Sequence, residues 1–117
     1  MSYNDKLNNT VWNSFKNSRL INLQPASGTT ISVNVGRAIL FLVYTGIEPS
    51  IYTIYSADST VKTTKAFGPN NKTLSDYHCT VTSAGSSTAK VTLDNTSANY
   101  TPQATIISIG GNNLVQS

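Results

Sequence analysis

The stretch TISVNVGRAILFLVYTG, residues 30–46, contains the two patterns that decide the fold class. Residues 30–35 alternate apolar with polar side chains, and successive side chains of a β-strand point to opposite faces. One face of that strand is therefore expected to be buried and the other exposed to solvent, as is common in antiparallel sheets. Residues 38–44 are apolar throughout. Because they do not alternate, both faces of this second strand need a cover.

The chain after Ser18 continues in short segments of the same kind. Runs rich in β-branched and aromatic residues are separated by clusters of Gly, Pro, Asn and Ser, which are typical of turns. These runs predict strands at 19–23, 30–35, 38–44, 51–56, 61–66, 77–83, 88–93 and 103–109. About eight short strands in one chain predict an all-β fold, an antiparallel, jelly-roll-like β-sandwich.

Residues 1–18 have a different pattern. Leu7, Val11 and Phe15 recur every four residues, which is the spacing of one face of a helix. The many asparagines in this segment lower its helix propensity, so a helix here needs a surface to pack against. We therefore divide the chain into an N-terminal helical segment, 1–18, and a β-sandwich domain, 19–117.

The apolar strand 38–44 and the helix together predict self-association. We expect the odd-numbered residues of the strand to face the core, and Leu40, Leu42 and Tyr44 to point outward. An exposed apolar patch of this kind usually marks an interface. Either the helix of the same chain or a neighbouring copy would cover it. The predicted oligomer interface consists of Leu7, Val11, Phe15, Leu40, Leu42 and Tyr44.

Composition and charge argue against several classes of function. The net charge is +3, but only 11% of the 117 residues are charged and the basic ones are dispersed. Nucleic-acid binding needs clustered positive charge, so we expect no nucleic-acid partner. No apolar run approaches the roughly 20 residues of a membrane span, so we expect no membrane insertion. The first residues lack a signal-peptide pattern, which predicts synthesis in the cytoplasm.

The titratable residues give no sign of catalysis. His78 and Cys79 are neighbours on a predicted strand, so their side chains point to opposite faces and cannot act as a pair. The alternation places Cys79 in the core. Asp76 and His78 would share a face, but no further ligand follows at a spacing that suits a metal. We predict that the protein is not an enzyme and has no metal and no cofactor.

Tyrosines are the better lead for ligand binding, since Tyr combines an apolar ring with a hydroxyl group. Tyr52 and Tyr55 fall on opposite faces of one predicted strand, so at most one of them belongs to the core. The predicted ligand-binding residues are Tyr52, Asp58 and Tyr100: an aromatic face, a carboxylate acceptor and a loop-edge aromatic. The loops expected to display such contacts are 45–50, 67–75 and 94–102.

Three segments together resemble a known family. They are SGTTISVNVGRAILFLVYTG, SIYTIYSADSTVKTTKAF and AKVTLDNTSANYTPQATIISIGG, within residues 27–111. A strand that ends in Gly, an apolar AxLFLV strand, an IY strand and a closing ATIIxIG run resemble the small C-terminal β-sandwich tip modules of bacteriophage and prophage tail fibres and tailspikes. The resemblance implies a homotrimer, carried on a virion, that recognises a host surface and usually a cell-surface glycan.

Two alternatives of other classes stay open. One is a free-standing, lectin-like β-sandwich that binds a small ligand and covers its apolar patch with its own helix. The other is a purely structural subunit without a ligand. The protein is thus expected to be a non-enzymatic structural or host-recognition module. Its mass in solution and its binding of saccharides would distinguish the three hypotheses.

Overall fold

The computed structural model describes residues 19–108, which form eight strands and one short 3₁₀ helix. The strands are β1 (Arg19–Leu23), β2 (Thr30–Val35), β3 (Ala38–Tyr44), β4 (Ile47–Ala57), β5 (Thr60–Phe67), β6 (Cys79–Ser83), β7 (Ala89–Asp94) and β8 (Gln103–Ser108). The 3₁₀ helix is Leu74–Tyr77. The predicted N-terminal helix, with its interface residues Leu7, Val11 and Phe15, lies outside the described residues.

Two antiparallel sheets form a sandwich, which confirms the predicted fold class. The larger sheet has the strand order β1-β8-β3-β4-β5 and the smaller one β2-β7-β6. Every pairing is antiparallel. The core lies between the sheets, because both contribute buried side chains to one cluster. Its largest fully buried members are Tyr77, Leu40, Leu42, Leu93, Ile106, Val35 and Val91.

β3 lies at the centre of the larger sheet, and its two faces are the reverse of those expected. Leu40 and Leu42 are both 0% exposed and belong to the core. The alternate residues lie on the outer face of the sheet, where Ile39 and Phe41 are half-buried and Val43 is exposed. The prediction that Leu40 and Leu42 point outward as an oligomer interface is therefore wrong.

The neighbouring strands explain this reversal. β3 is apolar on both sides, so its own residues do not distinguish the inner face from the outer one. Leu40 lies opposite Tyr52 on one side and Ile106 on the other, and both partners are buried. Side chains directly opposite each other in a sheet share a face, so the better-patterned neighbours place Leu40 inside.

Tyr44, the third residue of the predicted outward set, anchors a loop. A register irregularity in the pairing of β3 with β4 falls between Leu42 and Tyr44. The Tyr44 side chain is half-buried and packs against the core. Its hydroxyl accepts hydrogen bonds from the backbone N–H groups of Asn99 and Tyr100, at 3.1 and 3.3 Å. Tyr44 therefore holds the loop before β8 in this chain.

A local cap shortens β6 at its start. The sequence predicts a strand from Tyr77, but Tyr77 ends the 3₁₀ helix and β6 begins at Cys79. The Asp76 carboxylate accepts the backbone N–H of Thr73 at 2.7 Å, which closes the first turn of that helix. His78 then adopts a left-handed conformation with φ of +57°. Asp76 and His78 thus do not share a strand face.

Candidate functional site

The three residues predicted to bind a ligand lie far apart. Tyr52 is only 6% exposed and faces the space between the sheets. Asp58 stands at the tip of the β4–β5 turn, with φ of +53°. Tyr100 lies at the other end of the sandwich, where its ring centroid is 6.0 Å from that of Tyr44. β4 joins these ends, and its 11 residues span about 33 Å at about 3.3 Å per step, so Asp58 and Tyr100 cannot contact one small ligand.

A groove of about 760 Å³ opens at one edge of the sandwich. It runs between β5, the last strand of the larger sheet, and β6, the last strand of the smaller sheet. These two edge strands lie on the same side of the sandwich. Residues 70–75 form one of its walls. Tyr52, Leu74, Cys79 and Val81 provide its apolar surface. Its uncharged polar lining consists of Thr63, Asn70, Thr73 and Ser75, and the β6 residues Thr80 and Thr82, whose side chains lie on the outer face of the smaller sheet, border it along the strand edge.

Lys65 fixes the wall of the groove to β5. Its ammonium group donates hydrogen bonds to the backbone carbonyls of Pro69 and Lys72. The same nitrogen lies 5.9 Å from the centroid of the Tyr52 ring, within the range of a cation–π contact. An ammonium group has three N–H donors, so the two carbonyls do not exhaust its capacity. Lys65 can therefore hold the wall and still donate to a ligand.

The titratable groups at the base of the groove are neutral near neutral pH. Burial raises the pKa of the Tyr52 hydroxyl, and the nearby Tyr77 and Asp76 raise it further. Burial also raises the pKa of the Cys79 thiol to about 12. A thiol with such a pKa is not a nucleophile, because the thiolate is the reactive form. Cys79 is buried, which confirms its predicted place in the core.

Asp76 is the anion beside the groove. The hydrogen bond from the Thr73 backbone N–H lowers the pKa of its carboxyl group, and Lys72 and Lys65 lower it further despite some desolvation. Its carboxylate caps the start of the 3₁₀ helix. The His78 ring packs against the Tyr44 ring in a tilted arrangement, with 5.0 Å between the ring centroids and 46° between the planes. Asp76 therefore caps the 3₁₀ helix, and His78 makes a ring contact with Tyr44.

A buried hydroxyl pair supports the groove from behind. The Tyr77 hydroxyl lies 2.6 Å from Ser50 Oγ and donates to the backbone carbonyl of Glu48. Since that donation uses the only hydroxyl proton of Tyr77, Ser50 must donate to Tyr77. Tyr77 and Ser50 are both fully buried. The pair ties the 3₁₀ helix, which carries part of the groove wall, to β4.

Replacing Tyr77 with Phe is expected to lower the free energy of unfolding by about 1–3 kcal/mol, because the buried hydroxyl of Ser50 and the carbonyl of Glu48 lose their partner. Urea unfolding followed by circular dichroism measures this. Tyr55→Phe is the matched control, since Tyr55 is 50% exposed and its ring keeps the contact with Arg37, 4.8 Å away. Equal unfolding midpoints for the two variants would contradict this role of Tyr77.

Sequence reasoning missed the groove because strands distant in the sequence form it. One signal was present in β5, TVKTTKAF, whose alternate residues Thr63 and Lys65 are polar where a sealed core strand would be apolar. Both residues lie on the groove side of the strand. Polar residues on the inward face of an edge strand indicate that the two sheets do not close tightly there.

Comparisons with known proteins add no name to this site. No protein family, curated protein or solved structure matches the sequence. In residues 19–108, no helix has both the length and the apolar character needed to cross a membrane. In the same part of the chain, no three His, Cys, Asp or Glu side chains are grouped so that they could hold a metal.

Proposed function

We propose that the protein is a non-enzymatic recognition module that binds a saccharide in the groove between β5 and β6. The observation that carries this proposal is the lining: three residues with hydroxyl side chains, Thr63, Thr73 and Ser75, and one with an amide, Asn70, border a partly apolar surface. Sugars are polyols with apolar C–H faces, and hydroxyl and amide groups both donate and accept hydrogen bonds. This lining therefore matches both parts of a sugar ring.

The size and charge of the groove support the same class of ligand. Its volume of about 760 Å³ falls within the range of about 300–1,000 Å³ that is usual for small-ligand sites. Lys65 adds a charge-assisted donor that is already fixed in place by two carbonyls. Such a donor binds a hydroxyl or carboxylate oxygen with little loss of side-chain freedom. The groove suits a small oligosaccharide.

The proposal keeps only Tyr52 of the three residues predicted from the sequence. Tyr52 is too buried to stack on a sugar, and its contribution is to form the base of the groove and to hold Lys65. Asp58 and Tyr100 lie at opposite ends of the sandwich and have no part in this site.

The resemblance to phage tail-fibre tips suggests where such a module works. On that reading the protein is carried on a virion and recognises a cell-surface glycan, and a homotrimer stays a prediction. A free-standing lectin-like protein would use the same groove. Light scattering distinguishes the two readings, since a trimer has about three times the chain mass of 12.5 kDa. A purely structural subunit would bind no saccharide.

A long side chain in the groove tests the site. Thr63→Arg is expected to weaken saccharide binding at least about tenfold, equivalent to about 1.4 kcal/mol, because Thr63 lies on the groove side of β5, where the arginine occupies the groove and removes a hydroxyl. Thr63 is only half-buried and lies on an edge strand beside the open groove, so the fold should tolerate the change. A glycan array identifies a bound saccharide, and isothermal titration calorimetry then gives its affinity.

The matched control is Ser27→Arg, which adds the same side chain at an exposed turn outside the groove lining. It should bind with wild-type affinity. Wild-type affinity in Thr63→Arg would move the site elsewhere, and failure to bind any saccharide on the array would overturn the proposed function.

A further inference from the structure

A second cavity, of about 330 Å³, lies on the outer face of the smaller sheet, next to the start of β6. Its floor consists of strand residues that point away from the core, because they alternate with buried residues such as Leu93. The adjoining 3₁₀ helix provides one side. We call this cavity the polar pocket. The side chains that line it on this face are Thr30, Ser75, His78, Thr80, Thr92 and Asp94.

The polar pocket adjoins the groove. Ser75, Cys79 and Thr80 border both cavities. Thr80 lies on β6, which is an edge strand of the smaller sheet. One extended molecule can therefore lie in the groove, pass over the edge of β6 at Thr80 and enter the polar pocket.

Asp94 presents a fixed acceptor in the polar pocket. Its Oδ1 atom accepts hydrogen bonds from the backbone N–H and the hydroxyl of Thr96 and from the hydroxyl of Thr30. Within residues 19–108, its Oδ2 atom accepts none. The two hydrogen bonds from Thr96 lower the pKa of the Asp94 carboxyl group, and Thr30 and His78 lower it further despite some desolvation. The carboxylate is thus ionised at neutral pH, with one oxygen held and the other open to a ligand.

His78 provides a donor beside this acceptor. The backbone N–H of Asp94 donates to the backbone carbonyl of His78 at 2.9 Å, so the two residues are neighbours across the strands. The half-buried His78 ring is held against the Tyr44 ring. In the described part of the chain, its ring nitrogens form no hydrogen bond. An imidazole ring carries at least one N–H donor. The polar pocket therefore presents a donor and an anionic acceptor side by side.

A pair of adjacent hydroxyl groups on one sugar residue fits these two groups. One hydroxyl donates to Asp94 Oδ2, and its neighbour accepts from the His78 ring. Thr80 lies diagonally across from Asp94, about 7–8 Å away between Cα atoms, where its hydroxyl can reach the far side of the same sugar ring. The volume of about 330 Å³ is at the lower end of the range for small-ligand sites. It suits one sugar residue.

We propose that the polar pocket is a second subsite of the saccharide site, which holds a neutral sugar residue by adjacent hydroxyl groups while the rest of the oligosaccharide lies in the groove. This inference rests on the proposed function, because it extends the ligand of the groove across β6. Charge sets the direction of the chain. Lys65 accommodates an acidic sugar in the groove, whereas the Asp94 carboxylate repels one from the polar pocket.

Asp94→Asn tests the subsite, because the amide keeps an acceptor for Thr96 and replaces the open anionic oxygen with a donor. Calorimetry would use the saccharide that binds best on the glycan array and forms of it shortened by one residue from either end. Asp94→Asn should weaken binding of the full saccharide at least about tenfold. It should not affect binding of the form that lacks the residue in the polar pocket. Thr80→Val, which loses only the hydroxyl, should weaken the full saccharide in the same way.

The matched control is Asp58→Asn, the same substitution in the β4–β5 turn outside both cavities. Its φ of +53° is a conformation that Asn tolerates, so this variant should bind with wild-type affinity. Circular dichroism confirms that each variant is folded.

Three results would overturn the subsite while the proposed function stands. The first is wild-type affinity for the full saccharide in both Asp94→Asn and Thr80→Val, although Thr63→Arg abolishes binding. The second is an equal loss of affinity in Asp94→Asn for the full saccharide and for both shortened forms. The third is a monosaccharide that binds the unaltered protein as tightly as any longer saccharide. Failure of the unaltered protein to bind any saccharide would overturn both the subsite and the proposed function.

Discussion

Leu42→Asp is expected to abolish the folded state. Leu42 is fully buried between Ser50 on β4 and Ala104 on β8. The substitution gives up about 1.5–3 kcal/mol of leucine burial, and an unpaired carboxylate in the core costs several kcal/mol more. A small domain has only about 5–15 kcal/mol of stability. Urea unfolding followed by circular dichroism should show no cooperative transition.

Phe41→Asp is the matched control on the adjacent residue. Phe41 points to the outer face, so the new carboxylate can reach water and the sandwich should stay folded. A cooperative transition in Leu42→Asp close to that of the unaltered protein would contradict the inward orientation of Leu42. It would restore the hypothesis that Leu40 and Leu42 form an outward interface.

Gly68→Ala is expected to lower the free energy of unfolding by about 3 kcal/mol or more, through backbone strain and steric overlap. Gly68 has φ of +134°, a conformation that residues with a Cβ atom rarely adopt. A Cβ atom there would lie 2.3 Å from Ser50 Oγ and 3.0 Å from Ser50 Cα. Ser50 cannot move away easily, because it is buried and hydrogen-bonded to Tyr77. Thermal and urea unfolding measure the loss.

Gly46→Ala separates the two causes. Gly46 also has a positive φ, +88°, but nothing lies within 4 Å of an added Cβ atom. Its replacement should cost only the backbone strain, about 1–2 kcal/mol. If Gly68→Ala destabilises the protein no more than Gly46→Ala does, close packing of Gly68 on Ser50 does not contribute.

Much of the fold could be predicted from the sequence because several strands carry unambiguous patterns. The bounds of β1, β2 and β3 agree with the predicted 19–23, 30–35 and 38–44. Turn residues flank each of these runs, and alternation identifies the strand type. The inner face of β3 could not be predicted, since both faces are apolar and only the strand order decides between them. The start of β6 was missed because the Asp76 cap overrides strand propensity.

The candidate site was less predictable for a topological reason. The groove exists because β5 and β6 end their sheets on the same side, and strand order does not follow from alternation. Tyr52 and Asp58 are close in sequence but separated along β4, since each residue of a strand advances about 3.3 Å. The prediction that Cys79 lies in the core was correct, because Cys79 and Val81 alternate with polar residues within one short segment and this pattern is local.

The central claim, that the groove between β5 and β6 binds a saccharide, is tested most directly by nuclear magnetic resonance. Isotope-labelled protein would be titrated with the saccharide that binds best on the glycan array, and the shifted backbone amide signals would be mapped on the structure. We predict that the largest shifts cluster at Thr63, Lys65, Asn70 and Thr80. Shifts confined to the Asp58 turn or the Tyr100 loop, or no shifts with any saccharide, would contradict the claim.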